Sequence, residues 1–141
     1  RMVVERVARP VDGDIVGAID RGLLVLLGVE KRDGDAQVVR MVERLLSYRV
    51  FPDVEGRMNL DVVTAGGGLL VVSQFTLAAD TQKGTRPSFS SAAAPELALA
   101  LYENILAELR AHHAPIASGC FGANMQVHLV NDGPVTFLLE S

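Results

Sequence analysis

The stretch Leu69-Leu70-Val71-Val72-Ser73-Gln74-Phe75-Thr76-Leu77 constrains the fold more than any other in the chain. It opens as a near-continuous apolar run rich in β-branched residues, the pattern of a strand buried on both faces. It then switches abruptly to Ser, Gln and Thr. Small hydroxyl and amide side chains gain nothing from burial unless they are hydrogen-bonded. Polar groups placed where a buried strand surfaces are a common way to build a site on a rigid element. Taken alone, the stretch also fits a plain strand end whose Ser and Thr cap their own backbone.

The 141 residues fit one domain, 1–141, with a sizeable core. Hydrophobic residues make up 49% and aromatics only 5%, so that core is mostly aliphatic. The apolar excess points to a homo-oligomer interface. None of the apolar runs reaches the roughly 18 residues of a membrane span, and a basic-then-apolar leader is not visible at the N-terminus. With the single cysteine, Cys120, an intrachain disulfide is excluded. Cys and His residues are not spaced as zinc ligands, so neither a metal nor a cofactor is expected. The expected location is cytoplasmic. A net charge of −4 argues against a non-specific nucleic-acid binder, while leaving room for a protein that grips one end of an RNA through a local patch.

Taken in order, Met2 to Val7 reads as a first strand, Val11-Asp12-Gly13-Asp14 as a hairpin turn, and Ile15 to Ile19 as the returning strand. Gly22 to Val29 reads as a buried strand. Asp35 is an expected helix N-cap. Val38, Met41, Val42, Leu45 and Leu46 form the stripe of a first amphipathic helix. Tyr48 to Phe51 is expected to be a short strand stopped by Pro52, and Leu60 to Val63 an extended piece. Gly66-Gly67-Gly68 reads as a turn, because a phosphate loop would continue into Gly-Lys-Ser/Thr and a helix. Ala78 to Ser91 is long for a structureless loop and holds Lys83, Arg86 and Phe89. Pro95 suits the first turn of a second helix with Leu97, Leu101, Ile105 and Leu109 inward. His112 and His113 fall in its last turn, where they favour the helix dipole. Gln126 to Asn131 and Val135 to Leu139 read as the last strands, with His128 on a strand face.

Ser73-Gln74-Phe75-Thr76 and Asn131-Asp132-Gly133-Pro134-Val135-Thr136, in this order and at this chain length, resemble the D-aminoacyl-tRNA deacylase family, long called D-tyrosyl-tRNA deacylase. The likeness extends through Gly22-Leu23-Leu24-Val25, Arg57-Met58-Asn59-Leu60, Lys83-Gly84, Arg86-Pro87-Ser88-Phe89-Ser90 and Phe121-Gly122-Ala123. The resemblance implies a mixed α/β (α+β) fold in one compact domain, with mixed sheet layers around a barrel-like core and two main helices. It also implies a homodimer that hydrolyses the ester joining a D-amino acid, or glycine, to the 3′ end of tRNA. By the same resemblance, Ser73, Gln74, Phe75 and Thr76 form the catalytic segment. Phe121 and Met125 lie near the aminoacyl pocket. Gly133 and Pro134, joined by a cis peptide, reach into the partner's site, and Arg6 steadies that loop.

A Ser or Thr nucleophile needs an adjacent base. The sequence lacks a Gly-x-Ser-x-Gly elbow, and its three histidines are poorly placed. The chemistry therefore reads as backbone N–H groups near Phe75 and Thr76 holding an oxyanion, with the ribose 2′-OH, which the family is thought to use, assisting water. Two other readings stand beside it: a non-catalytic nucleic-acid-binding dimer on the same fold, and a Ser/Thr esterase for small molecules. The chain departs from the family pattern in a first hairpin that looks a few residues short. It departs again at Gln82 and Thr85, where many relatives carry basic residues. Fewer cations there mean fewer phosphate contacts, so binding of tRNA is expected to weaken only shallowly with salt. Filter binding across a salt series checks this; a steep log–log slope, implying many released ions, contradicts it.

Overall fold

Two six-residue strands of nearly uninterrupted apolar residues, β2 (Gly22–Leu27) and β5 (Gly68–Ser73), pair in parallel from Gly22 opposite Gly68 to Leu27 opposite Ser73. The computed structural model describes the backbone of Met2–Val7 and residues 15–141 in full. Around this pair the chain runs β1 (Met2–Val7), β2, α1 (Asp35–Ser47), β3 (Phe51–Pro52), β4 (Met58–Leu60), β5, a 3-10 turn (Phe75–Ala78), α2 (Pro95–His112), β6 (Ile116–Ser118) and β7 (Thr136–Leu139). The main sheet has five strands in the order β6-β5-β2-β1-β7. β1 is antiparallel to both β2 and β7, and β6 is parallel to β5. β3 and β4 form a separate two-stranded ribbon. The fold is mixed α/β with two helices, as expected. Among the described residues the sheet is open, with β6 and β7 at its edges, rather than closed into a barrel.

Alternation along the strands sends their side chains to two unlike faces. One face carries Leu23, Val25, Leu27, Leu69, Val71 and Leu139. It packs with Val38, Met41, Val42 and Leu45 of α1 and Leu101, Ile105, Leu106 and Leu109 of α2 into the main core. Burying each such side chain contributes about 1.5–3 kcal/mol. The other face carries Leu24 and Val72, with Leu26 and Leu70, and among the described residues Met125 and Leu129 pack over them. The parallel pair begins at two glycines for a steric reason. A Cβ on Gly22 would stand 2.0 Å from the Gly68 carbonyl oxygen.

Several local expectations are corrected. Ile15 to Ile19 is irregular, not a strand. Gly17 interrupts it, and a side chain there would run into the Ser118 backbone, 2.4 Å from its oxygen. The turn read at Val11 to Asp14 lies outside the described residues. Gln126 to Asn131 pairs with no strand among the described residues. Its apolar spacing serves instead to lay Leu129, like the preceding Met125, over the second face of the sheet. The cap of α1 is Gly34, whose N–H donates to Gln37 Oε1 at 3.0 Å, and Asp35 is the first helical residue. The two short extended pieces are shifted to Phe51–Pro52 and Met58–Leu60. The β6 strand at Ile116–Ser118 escaped the sequence reading because three residues are too few to show a period. His113 receives a use beyond the helix dipole: its Nε2 lies 2.7 Å from the Gly67 carbonyl oxygen, tying the end of α2 to the turn before β5.

Leu109 is fully buried while Leu99, on the same helix, is 37% exposed. Leu109→Ala is expected to lower unfolding stability by about 2–5 kcal/mol, and Leu99→Ala by less than about 0.5 kcal/mol. Gly22→Ala is expected to destabilise at least as much as Leu109→Ala. Urea melts of the three variants beside the parent protein check the order.

Candidate active site

β2 ends its pairing at Leu27, and its last carbonyl still holds the neighbouring chain: Gln74 N–H donates to Leu27 O at 2.8 Å. Beyond that bond, β5 has no more partner strand to follow and coils into the 3-10 turn. Leu77 N–H donates to Gln74 O at 3.2 Å and Ala79 N–H to Thr76 O at 3.1 Å. The first N–H groups of any helical turn point outward without an acceptor inside it. Here those are the N–H groups of Phe75 and Thr76. The Gln74 side-chain amide donates to Thr76 Oγ1 at 2.6 Å. Phe75 is left 64% exposed, its ring 5.1 Å from that of Phe89 at the end of the 80–88 hairpin. Asp80 and Ser88 pair across that hairpin, and Lys83 and Arg86 lie exposed in it.

The segment after β6 builds the facing wall. Gly119 N–H continues the sheet pattern by donating to Val71 O at 2.9 Å. Cys120 N–H donates to Met125 Sδ at 3.2 Å, folding the segment back on itself. Between the walls, Tyr102 of α2 forms part of the floor. Its hydroxyl lies 3.0 Å from Val71 O and 3.3 Å from Gly119 O, and its ring centroid 5.8 Å from that of Phe121. Burial pushes the Tyr102 pKa up, so the hydroxyl remains a donor through neutral pH. The result is an open cleft of about 520 Å³ at the carboxyl ends of β2 and β5.

Ser73, Gln74, Phe75, Phe121 and Met125 all line this cleft, and Thr76 follows on the turn at its mouth. The two distant segments picked out in the sequence are therefore brought together. Gly133 and Pro134 are not among the residues that line it. They lie exposed in the irregular segment before β7, with a cis peptide between them, as between Ala114 and Pro115. A Cβ on Gly133 would stand 2.0 Å from the Val135 nitrogen, so only glycine fits that bend. Arg6 occupies β1 opposite Leu23, and its side chain lies outside the described residues. His112 and His113 are engaged at the end of α2, with Glu108 O and Gly67 O. His128 is exposed in an irregular segment, not on a strand face. Among the described residues, no group of three or more His, Cys, Asp or Glu gathers as metal ligands. Tyr102 was missed by the sequence reading. The available signal was a polar-tipped aromatic beside Leu101 on the inward stripe of a helix.

The arrangement has close relatives. The family model described as D-Tyr-tRNA(Tyr) deacylase matches residues 3–140. A D-aminoacyl-tRNA deacylase of Alcanivorax borkumensis is 59% identical over 99% of both chains. One from Stutzerimonas stutzeri is 63% identical over 93% of this chain and 90% of its own. The solved structure of the c-Myc DNA unwinding element binding protein superimposes with a TM-score of 0.92 at 42% identity, covering 99% of this chain and 97% of that one. That of a probable eukaryotic D-amino acid tRNA deacylase gives 0.80 at 18% identity, covering 99% and 98%, a likeness of fold. A family match over nearly the whole length, with relatives this similar, means that the chain belongs to the D-Tyr-tRNA(Tyr) deacylase family and is a hydrolase.

Proposed function

We propose that the protein hydrolyses the ester between a D-amino acid, or glycine, and the 3′ adenosine of tRNA in the cytoplasm, and that it does so as a homodimer. The observation that carries this reading is the cleft in which the Ser73–Thr76 turn faces Phe121 and Met125. The bond made to Thr76 Oγ1 comes from an amide, which cannot take up a proton. This favours chemistry by position and backbone rather than by an activated side-chain hydroxyl. The N–H groups of Phe75 and Thr76 would stabilise the oxyanion formed when water attacks the ester carbonyl. The substrate's ribose 2′-OH would assist that water, and Thr76 would position rather than react.

Chirality follows from where the α-ammonium is held. In this reading, Gly133 and Pro134 of a partner subunit enter the cleft and their carbonyls fix the ammonium. An L side chain is then driven into the loop and a D side chain points to solvent, so selection works by rejecting L. Glycine has nothing to reject and is cleaved. The exposure of Gly133 and Pro134 away from their own chain's cleft supports this cross-subunit use. So do Val127, Val130 and Leu138, apolar side chains left at the surface. Arg6 would steady the loop.

A second reading, a nucleic-acid-binding dimer without catalysis, is favoured by the likeness to the c-Myc DNA unwinding element binding protein. The net charge of −4 weighs against it.

Deacylation of matched D-Tyr-tRNA and L-Tyr-tRNA, each beside an enzyme-free control, decides between the readings. Loss of the D ester alone is expected. Loss of both would leave an unselective esterase, and loss of neither, with tRNA still bound, would leave the binding module. Ser73→Ala and Thr76→Ala are each expected to keep activity within about tenfold of the parent; a covalent Ser/Thr mechanism would lose on the order of 10⁴-fold or more. Gly133→Ala, which must displace the Val135 backbone, is expected to impair D-ester cleavage far more than either.

A further inference from the structure

We propose that Tyr102 is a positioning residue for the proposed deacylation, and that its hydroxyl fixes the spacing between the two walls of the cleft. The inference rests on the functional reading above only for its kinetic consequence; the mechanical part stands on the geometry alone.

Tyr102 is 3% exposed in the floor of the cleft. Packing alone would be served by phenylalanine, because burying a hydroxyl is unfavourable unless it is bonded. This hydroxyl is bonded to one main-chain carbonyl on each side of the cleft. It donates toward Val71 O, two residues before the Ser73–Thr76 segment, and lies within reach of Gly119 O, where the facing wall begins. The Ser118 side chain, at the end of β6, lies near enough to the same hydroxyl to favour its ionised form, against the upward push of burial. Val71 O also accepts from Gly119 N–H, so one carbonyl receives both the helix and the wall. Beyond Gly119, the wall turns back through Ala123 N–H donating to Cys120 O at 3.2 Å, and Phe121 packs against the main core. Its residues 122–124 are exposed, and it is folded by the Cys120 N–H bond to Met125 Sδ and by Phe121 against the Tyr102 ring. Gly119 completes the device. A Cβ there would stand 2.7 Å from Met125 Sδ, so the wall closes over a position without a side chain. The separation of Phe121 and Met125 from Ser73 and Gln74 is thus set by the direct bond from Gly119 N–H to Val71 O and, from α2, by the hydroxyl that bridges the same two residues.

The test is Tyr102→Phe, which keeps the ring and removes the oxygen. Kinetics on D-Tyr-tRNA are measured well below the melting temperature of either protein, together with hydrogen exchange at the Gly119 and Cys120 amides. The expected result is a KM raised about tenfold, the size of a lost neutral hydrogen bond, with kcat within about twofold and faster exchange at both amides. Ser118→Ala is expected to move the same quantities in the same direction by less. A lowered melting temperature with KM, kcat and exchange unchanged would make the hydroxyl merely structural and overturn the proposal. A raised KM with unchanged exchange would mean that the hydroxyl touches the substrate itself, which also overturns it. If the parent protein fails to cleave D-Tyr-tRNA, the functional reading falls, and the exchange measurement still decides whether the hydroxyl holds the wall.

Discussion

The parallel pairing of β2 with β5 is the contact on which the rest depends. It starts where two glycine backbones approach so closely that a Cβ on either strand's first residue would meet the other chain or its neighbours. That approach sets the register for six residue pairs. The register decides which side chains face the helices and which face the opposite side. It also decides that both strands reach their carboxyl ends together. A parallel pair concentrates its strand ends and following turns in one place, and here that place is the cleft. A one-residue slip would invert both faces and carry Ser73 to the wrong side of the sheet.

The two faces of that sheet have different fates. The helix-covered face is an ordinary aliphatic core, with few aromatics and close packing of Leu and Val from α1, α2 and the strands. The second face is covered mainly by one irregular segment, which lays Met125 and Leu129 on Leu24 and Val72. That same segment supplies Met125 to the cleft. Cover and site wall are therefore one piece of chain, and whatever fixes its start at Gly119 fixes both. In the proposed dimer, the exposed apolar side chains Val127, Val130 and Leu138 are where a second copy gains by burying apolar surface.

How much of this could be read from the sequence depended on how local the signal was. The apolar runs at Leu23–Leu27 and Leu69–Val72 name buried strands by themselves, and the stripes of α1 and α2 name helices, because each pattern repeats several times within one element. At Ile15–Ile19 and Gln126–Asn131, alternation was present but had too few residues to distinguish a paired strand from a segment draped over a sheet. Gly17 broke the first, and the second uses its spacing for cover rather than pairing. The gathering of Ser73, Gln74 and Phe75 with Phe121 and Met125 spans more than 50 positions, and only resemblance to a family joined those segments in advance. Tyr102 was invisible for a different reason. An inward Tyr among Leu and Ile reads as core until its hydroxyl partners, 31 and 17 positions away, are known.

A site built this way places unusual weight on backbone geometry. Thr76 is tied to an amide, and the histidines of α2 are engaged elsewhere with main-chain carbonyls. What the cleft would offer a substrate in the proposed reaction is therefore mostly main-chain N–H groups at the start of a tight turn and apolar walls. Main-chain donors cannot be tuned by protonation, so their value lies in being aimed correctly before the substrate arrives. Preorganisation of this kind has to be supplied by the surroundings: by the Leu27 carbonyl that holds Gln74 as the strand ends, and by the elements packed behind the turn. The same reasoning applies to the proposed chirality filter. If rejection of an L side chain is steric, it is only as sharp as the placement of the rejecting loop. That requirement is consistent with Gly133 sitting at a bend into which no side chain fits without displacing the backbone of Val135. In the proposed reaction the residues that matter to activity would include those that fix where the backbone goes, such as glycines at close approaches and a tyrosine bonded to two carbonyls, and a search confined to acids, bases and nucleophiles passes over them.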